Sequence, residues 1–261
     1  MFELKTWRIL DTGKGSASWN MGVDEALLTN FKEDDLPILR LYGWERALSL
    51  GRFSDIEQSL DQQKIDEMNF SYVRRMTGGG VLVHAEDISY SLILPRKLLK
   101  EVGVKESYHY LCRFLIQFYA RLGLDASFAS DLQLKQKRSD ICLAGHEAYD
   151  IMIEDKKMGG NAQRYTHDAL FQHGSIPISM DKSHLEVLFI SESGLEGAAT
   201  LEELGCEMSY EKLVLLLRDA FTESFGIDAV LDTLRSCEEE DAKKLMADKY
   251  TQQRWNVYAE Q

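Results

Sequence analysis

The chain has 261 residues, of which 43 are acidic and 30 basic, so its formal net charge at pH 7 is −13. A hydrophobic fraction of 44% is ordinary for a globular protein and argues against wholesale disorder. Proteins that bind duplex nucleic acid usually carry a basic surface, so nucleic acid is not an expected partner. The longest apolar runs, such as Leu213–Leu217, are too short to span a bilayer. We therefore expect a cytoplasmic protein with no membrane partner.

The cysteines are few and widely spaced along the chain. They are Cys112, Cys142, Cys206 and Cys237, and no two form a CxxC pair. This usage predicts free thiols in a reducing compartment. No cluster of cysteine and histidine has the spacing of a zinc site, so no metal site is predicted.

The first half of the chain combines one helical pattern with several short apolar runs. Residues Asn20–Leu28 are predicted as a helix, with Ser18 or Asn20 as the N-cap. Strands are predicted at Ile38–Tyr42, Ala47–Gly51, Phe70–Arg74, Val81–His84 and Ile88–Leu94.

The second half continues this mixture of helices and strands. The predicted elements are a helix at Ser107–Leu122, a hairpin formed by Tyr149–Ile153 and the chain from Met158 onward, two strands at Ala169–Gln172 and Ser175–Ile178, and a helix at Glu211–Phe225. Strands and helices without regular βαβ alternation predict an α+β fold around a mixed sheet flanked by helices. A shift in composition after Gly226 predicts a main domain at residues 1–226 and a mostly helical appendage at 227–261.

A glycine-rich stretch follows one of the predicted strands. Gly78, Gly79 and Gly80 allow the backbone to approach a ligand closely and to expose its N–H groups. The preceding Arg74 and Arg75 could add charge-assisted hydrogen bonds to a carboxylate or phosphate. A hairpin turn with two surface arginines would explain the same residues, and composition alone does not choose between the two.

A second stretch places lysines beside a glycine pair. A lysine next to Gly159–Gly160 can point its ammonium group at a bound carbonyl or phosphate while the glycines leave room for the ligand. We interpret Lys156 as part of a charged hairpin tip. For Lys157 the residues alone leave both interpretations open.

The cysteine and histidine candidates are weaker when taken one at a time. A lone cysteine among apolar residues, such as Cys142, is more often a small core residue than a nucleophile. His146 follows four residues later, which does not by itself establish a pair. His84 and His173 each flank a strand, and a structural role is the preferred interpretation for both.

The pattern RRxTGGGxxxH at 74–84, followed by Asp87–Ser91, resembles the signature of the lipoate–protein ligase A/octanoyltransferase family. Other segments resemble the same family in its order: Trp7–Asp11, Asn20–Ala26, Leu41–Trp44, Ser49–Phe53, Lys157–Gln163 and His173–Ile176. Together these segments cover about residues 6–180 and form a specific match.

This resemblance implies the mixed-sheet domain shared with biotin–protein ligases and class II tRNA synthetases. It also implies one of two reactions. Ligases use ATP and magnesium to activate lipoate as an acyl-adenylate and pass it to a lysine of a lipoyl domain. Transferases require no cofactor and move an octanoyl group from acyl carrier protein to that lysine through a cysteine thioester. The implied acceptors are proteins such as glycine cleavage H protein or dehydrogenase E2 subunits.

Cys142 favours the second reaction. It lies about 15 residues before Lys157, the separation between nucleophile and lysine in the cysteine-dependent lipoyl (octanoyl) transferases that the chain resembles most. The resemblance therefore implies that Cys142 and Lys157 are catalytic. Gly80 stands where these transferases often carry arginine, so an ATP-dependent lipoate–protein ligase remains the alternative.

The resemblance also implies a set of substrate-binding residues. They are Arg74, Arg75, Thr77, Gly78, Gly79, Gly80, Val81, Val83, His84, Gly159, Gly160, Asn161 and Ala162. In this scheme the glycine N–H groups hold the developing oxyanion. Lys157 lowers the pKa of the thiol and polarises the acyl carbonyl. Val81 and Val83 are the candidates for lining an octanoyl slot.

Docking of acidic protein partners onto an acidic enzyme requires a local basic patch. The candidates for this patch are Arg74, Arg75, Lys135, Lys137 and Arg138.

Overall fold

A computed structural model describes residues 5–99, 102–132 and 149–260. The strands are β1 (Thr6–Gly15), β2 (Ile38–Trp44), β3 (Ala47–Leu50), β4 (Ser71–Arg74), β5 (Leu82–His84), β6 (Glu86–Pro95), β7 (Ser127–Phe128), β8 (Ile151–Ile153), β9 (Lys156–Lys157), β10 (Gly160–Tyr165), β11 (Ala169–Ser179) and β12 (Asp228–Asp232). The α-helices are α1 (Ala17–Asn30), α2 (Ile56–Ser59), α3 (Gln62–Glu67), α4 (Val104–Arg121), α5 (Lys182–Leu185), α6 (Tyr210–Phe225), α7 (Ser236–Leu245) and α8 (Gln253–Asn256).

A six-stranded mixed sheet forms the centre of the fold. Its strand order is β10-β11-β6-β2-β1-β12, with β1 parallel to both β2 and β12 and the other neighbours antiparallel. Two three-stranded sheets, β4-β3-β5 and β7-β8-β9, accompany it. The predicted α+β class with a mixed sheet flanked by helices is therefore confirmed.

Apolar residues on both faces of the main sheet explain why helices cover it on each side. On one face, Phe221 of α6 packs against Trp7 of β1, and Phe114 of α4 packs against Phe221. On the other face, Leu27 of α1 belongs to a cluster with Ile93 of β6. Burial of such side chains contributes about 1.5–3 kcal/mol each. No helix in the described residues combines the length and apolar character needed to cross a membrane.

Helix α1 begins earlier than the sequence pattern predicts. Its N-cap is Ser16, whose side chain accepts a hydrogen bond from the Trp19 N–H, so the prediction of Ser18 or Asn20 was wrong. Asn20 lies inside the helix, and its amide donates to the carbonyl oxygens of Gly15 and Gly43. Its polar side chain therefore joins the helix to the sheet.

Strand β11 is continuous, although two separate strands were predicted in this region. His173 and Gly174 stay in register with Ser91 and Tyr90 of β6, so the ladder is not interrupted between them. Gly174 is required here because a Cβ atom would lie 2.1 Å from Asn161 Oδ1.

The segment after Gly226 packs against the main sheet and its helices. β12 pairs with β1 at the sheet edge, and Glu238 at the start of α7 forms a salt bridge with Arg8 at 2.6 Å. Within the predicted appendage at 227–261, Asp228–Asp232 form β12 and residues 236–256 are mostly helical. The domain boundary at 226 remains a prediction.

Candidate functional site

A cavity lies where the small sheet β4-β3-β5 meets one end of the main sheet. Its lining brings together seven of the predicted site residues: Arg75, Gly78, Gly79, His84, Gly160, Asn161 and Ala162. The lining residues that were not predicted as binding residues are Tyr42, Trp44, Ser49, Leu82, Ser89, His173, Gly174 and Ser175. The two glycine motifs, distant in sequence, therefore face one space.

The glycine loop, residues 77–80, has all of its carbonyl oxygens engaged. The bonds run from Arg52 N–H to Thr77 O (2.7 Å), from Arg75 Nη2 to Gly78 O (3.2 Å) and Gly80 O (2.9 Å), and from Ser54 Oγ to Gly79 O (3.2 Å). No atom of the described residues accepts a hydrogen bond from the N–H groups of residues 78–80. These amides are therefore the polar groups that the loop offers to a ligand.

The two motif arginines have different contacts. Arg75 is buried and holds the glycine loop, as described above. Arg74 is also buried, and its guanidinium donates to main-chain carbonyls, including Gly51 O at 3.1 Å and Trp255 O at 3.0 Å. Arg74 therefore joins the C-terminal segment to the loop that follows β3, and it does not line the cavity.

Burial of these arginines corrects the predicted docking patch. Arg74 and Arg75 are 1% and 2% exposed, so neither contributes charge to a docking surface. Lys135, Lys137 and Arg138 lie outside the described residues.

The apolar lining also differs from the prediction. Val81 and Val83 are buried in a hydrophobic cluster beneath the small sheet, whereas Leu82 lines the cavity. Side chains alternate between the two faces of a strand, so the neighbouring residue faces the cavity instead. Leu82 therefore replaces Val81 and Val83 as the lining residue from this strand.

One wall of the cavity contains a chain of hydrogen-bonded side chains. Ser49 Oγ lies 2.7 Å from His84 Nε2, and His84 Nδ1 lies 3.0 Å from Asp87 Oδ2. Arg75 donates to Ser49 Oγ at 2.9 Å. The His84 ring stacks on Trp44 with the ring centroids 3.8 Å apart. This chain links β6 to the glycine loop through β5 and β3.

A second buried group of polar side chains reaches the cavity through His173. Asp24 of α1 accepts from Arg40 at 2.6 Å and lies 3.7 Å from His173 Nδ1, and His173 Nε2 lies 2.7 Å from Thr77 Oγ1. Burial disfavours the charged form of Asp24, but Arg40 and His173 outweigh this effect and hold the pKa of Asp24 below its ordinary value. Burial lowers the pKa of His173, with Asp24 opposing the shift.

Replacing Asp24 by asparagine is expected to destabilise the protein by about 3–5 kcal/mol at pH 7, because Arg40 would keep a buried charge without its ionised partner. The pKa of Asp24 is lowered in the fold, so its stabilising effect is present above its unfolded pKa of 3.8 and is lost as pH falls through the lower folded value. Urea unfolding of both proteins should therefore show a difference that shrinks below pH 3.8.

Asp34→Asn provides the control, because Asp34 is almost fully exposed and pairs only with the surface residue Lys97. Its unfolding curve should match that of the unsubstituted protein. Equal stability of the Asp24→Asn protein at pH 7 would contradict the role given to the ion pair.

Lys157 is buried and ion-paired. Its Nζ lies 2.7 Å from Asp150 Oδ2, and its main chain is fixed by a hydrogen bond from Ala199 N–H to Lys157 O. Gly159 follows with φ +72°, and a Cβ there would lie 1.8 Å from Ser175 O. This close approach explains the need for glycine beside the lysine. Lys157 is not among the described lining residues.

Asn161 is fixed from β6 and β11 of the main sheet. Tyr90 donates to Asn161 Oδ1 at 2.6 Å, and Gln172 donates to the Tyr90 hydroxyl at 3.1 Å. Cys112 belongs to the main hydrophobic core, and burial raises the pKa of its thiol to about 12. Such a thiol stays protonated at neutral pH. Cys142, the predicted nucleophile, lies outside the described residues.

Sequence reasoning missed the buried acids that organise this region. Asp24, Asp87 and Asp150 each contact a residue of the cavity wall or the motif lysine. Asp150 lies inside the predicted hairpin strand Tyr149–Ile153, directly before the observed β8, so pairing the hairpin would have placed it near Lys157. Asp24 and Asp87 become recognisable only when α1 and β6 are packed against their partner strands.

The chain belongs to the family of the lipoyl protein ligase A/B catalytic domain, whose model matches residues 16–222. It is 32% identical to octanoyltransferase LipM of Kyrpidia tusciae, with 97% of this chain and 99% of the relative covered. It is also 32% identical to octanoyltransferase LipM of Bacillus subtilis, with 97% and 98% covered.

Solved structures of lipoate-protein ligases have the same fold as this chain. A lipoate-protein ligase A bound with ATP matches with TM-score 0.83 and 24% identity over 97% of this chain and 98% of that chain. A putative lipoate protein ligase from Thermoplasma acidophilum with bound lipoic acid matches with TM-score 0.83 and 25% identity over 97% and 99%. The predicted family is therefore confirmed.

Proposed function

We propose that this protein is an acyltransferase that moves an octanoyl (or lipoyl) group from a carrier thioester to a lysine of a lipoyl-domain protein. The observation that carries this proposal is the likeness, over nearly the whole chain, to relatives named octanoyltransferase. The proposed donor is acyl carrier protein. The acceptors are lipoyl-domain proteins such as glycine cleavage H protein or dehydrogenase E2 subunits.

The reaction proceeds in two acyl transfers. In the first, the Cys142 thiolate attacks the donor carbonyl, a new C–S bond forms, and the carrier thiolate leaves and takes up a proton. In the second, the neutral acceptor amine attacks, a C–N bond forms, and Cys142 leaves as thiolate while the amine loses a proton. The first step exchanges one thioester for another and is nearly energy-neutral, so it needs neither nucleotide nor metal.

The glycine loop supports the oxyanion role proposed for it. Both tetrahedral intermediates carry negative charge on the former carbonyl oxygen, and preorganised N–H donors stabilise such charge. The carbonyls of residues 77–80 are all engaged by protein donors, so the loop cannot rotate its peptide units without losing these bonds. Its amides are thereby held ready for an anion.

Lys157 is the proposed source of positive charge for the Cys142 sulfur. The ion pair with Asp150 fixes the position of its Nζ, and Gly159 and Gly160 bring the following backbone close to β11. As an ammonium group, Lys157 would stabilise the Cys142 thiolate and polarise the acyl carbonyl.

The cavity offers apolar surface for the fatty chain. Tyr42, Trp44 and Leu82 line it together with the polar residues of its walls. Transfer of each methylene from water to such surface contributes about 0.8 kcal/mol. An octanoyl chain would therefore gain several kcal/mol of binding.

The experiment that tests this function compares two sources of acyl group. With a lipoyl domain as acceptor, octanoyl acyl carrier protein alone should acylate the acceptor lysine, as measured by intact mass. Free octanoate or lipoate with ATP and magnesium should give neither product nor pyrophosphate. The opposite pattern would support the ATP-dependent ligase, for which the full glycine triplet at 78–80 is the observation in favour.

A further inference from the structure

A buried chain of hydrogen bonds connects the middle of the protein to the glycine loop. It starts at Asp87 on β6 and passes through His84 and Ser49 to Arg75. Arg75 then donates to two carbonyls of the loop. All four side chains are at most 4% exposed, so water does not replace these contacts readily.

The groups at the two ends of this chain, the donor Arg75 and the acceptor Asp87, fix the hydrogens within it. A guanidinium group only donates, so Ser49 Oγ accepts from Arg75, and among the described residues His84 Nε2 is the acceptor in contact with the Ser49 hydroxyl. His84 must then accept at Nε2 and carry its hydrogen on Nδ1, which faces Asp87 Oδ2.

The neighbours of Asp87 lead to the same assignment. The Trp44 indole N–H only donates, so Ser89 Oγ accepts from it at 2.9 Å and gives its own hydrogen to Asp87 Oδ2. Ser175 also donates to Asp87 Oδ2, at 2.6 Å. Asp87 is thus an acceptor for its neighbours and requires a donor at His84 Nδ1.

We propose that His84 is a positioning residue that acts through Ser49 and Arg75 to hold the glycine loop, so that its amides face the acyl oxyanion. This inference rests on the proposed acyl transfer. His84 itself exchanges no proton with the substrate. Its Nδ1–H tautomer leaves Ser49 as the acceptor that Arg75 needs, and Arg75 in turn orients Gly78 and Gly80.

The same geometry does not make Ser49 a nucleophile, although a serine, a histidine and an aspartate stand in line. Ser49 is 0% exposed, and its hydroxyl is held between the guanidinium of Arg75 and the ring of His84. A serine nucleophile must present its oxygen to the substrate carbonyl. The hydrogen-bonded chain that starts at Asp87 therefore ends at the glycine loop, and none of its members attacks the substrate.

Two substitutions of His84 separate this role from simple packing. Glutamine places its amide near the position of Nε2, so His84→Gln keeps a partner for Ser49 and loses the contact with Asp87. Asparagine places its amide near Nδ1, so His84→Asn keeps a donor to Asp87 and loses the contact with Ser49. Both variants lose the stacking on Trp44, which makes them matched controls for each other.

Octanoyl transfer from carrier to lipoyl domain provides the kinetic readout. His84→Asn should lower kcat roughly 10²-fold, the effect of losing an oxyanion donor, with the KM for the donor changed less than about threefold. His84→Gln should retain at least about tenfold more activity than His84→Asn. Equal losses, a more active His84→Asn protein, or no loss in either would overturn the proposal.

Two further measurements keep the proposal testable if the His84 variants do not fold. Ser49→Ala should lower kcat as His84→Asn does, and full activity in that variant would overturn the proposal. In the unsubstituted protein, ¹⁵N NMR of the His84 ring should show hydrogen on Nδ1 at neutral pH. Hydrogen on Nε2 would overturn it without any assay, so this failure is distinguishable from failure of the proposed function.

Discussion

Replacing Cys142 by serine is expected to lower octanoyl transfer by roughly 10³-fold or more. The serine hydroxyl is neutral at pH 7, whereas a thiolate beside Lys157 is a strong nucleophile. Binding of the donor should persist, because the fatty chain and the glycine loop do not require the sulfur. Transfer from octanoyl acyl carrier protein to a lipoyl domain, followed by intact mass of the acceptor, measures the effect.

Cys237→Ser is the matched control, because Cys237 is an exposed free cysteine distant in sequence from both glycine motifs. Its transfer rate should equal that of the unsubstituted protein. Full activity of the Cys142→Ser protein would end the cysteine mechanism. The family assignment does not depend on this result, because it rests on similarity along the whole chain.

Replacing Gly51 by alanine is expected to lower kcat by about 10²-fold and stability by about 1–3 kcal/mol. A Cβ at this position would lie 1.7 Å from Gly79 O and 2.6 Å from Gly79 C. Both atoms belong to the backbone of the glycine loop, so the loop must move by more than an ångström. Steady-state kinetics and urea unfolding measure the two effects.

Gly103→Ala serves as the control, since a Cβ there meets no atom within 4 Å. Gly103 is the N-cap of α4, so its replacement should cost less than about 1 kcal/mol of stability and leave kcat unchanged. Unaltered kcat in the Gly51→Ala protein would show that the position of the loop does not control the reaction.

Most strands and the long helices could be predicted from apolar periodicity. The strand at Ile38–Tyr42 and the helix at Glu211–Phe225 lie within the observed β2 and α6. Every residue of β2 is buried, and α6 has one buried apolar face, so both give a clear apolar pattern. The continuous β11 could not be predicted in the same way, since His173 and Gly174 interrupt its apolar run. Only their pairing with β6 shows that the strand continues.

The site was predictable where glycine marks a close backbone approach. Gly78, Gly79 and Gly160 line the cavity, and a glycine motif can be found in a sequence because it reflects a constraint on the main chain itself. The roles of Arg74 and Arg75 were not predictable, because an arginine that holds carbonyl oxygens has the same sequence pattern as one that holds a substrate. Their burial in three dimensions separates the two cases.

The roles of the buried carboxylates could not be predicted from the sequence either. Asp24 and Asp87 act through partners that are distant along the chain: Asp24 through Arg40 and His173, and Asp87 through Ser175 as well as its near neighbours His84 and Ser89. No periodicity encodes such partners. The fold had to be known before these residues could be connected with the glycine loop.

Mass spectrometry of the enzyme itself tests the account most directly. The unsubstituted protein is incubated with octanoyl acyl carrier protein in the absence of acceptor, then digested and mapped. The account predicts one octanoyl group, sensitive to hydroxylamine, on the peptide that contains Cys142, and its transfer to a lipoyl domain added afterwards. An enzyme that turns over this donor while every cysteine stays unacylated would contradict it.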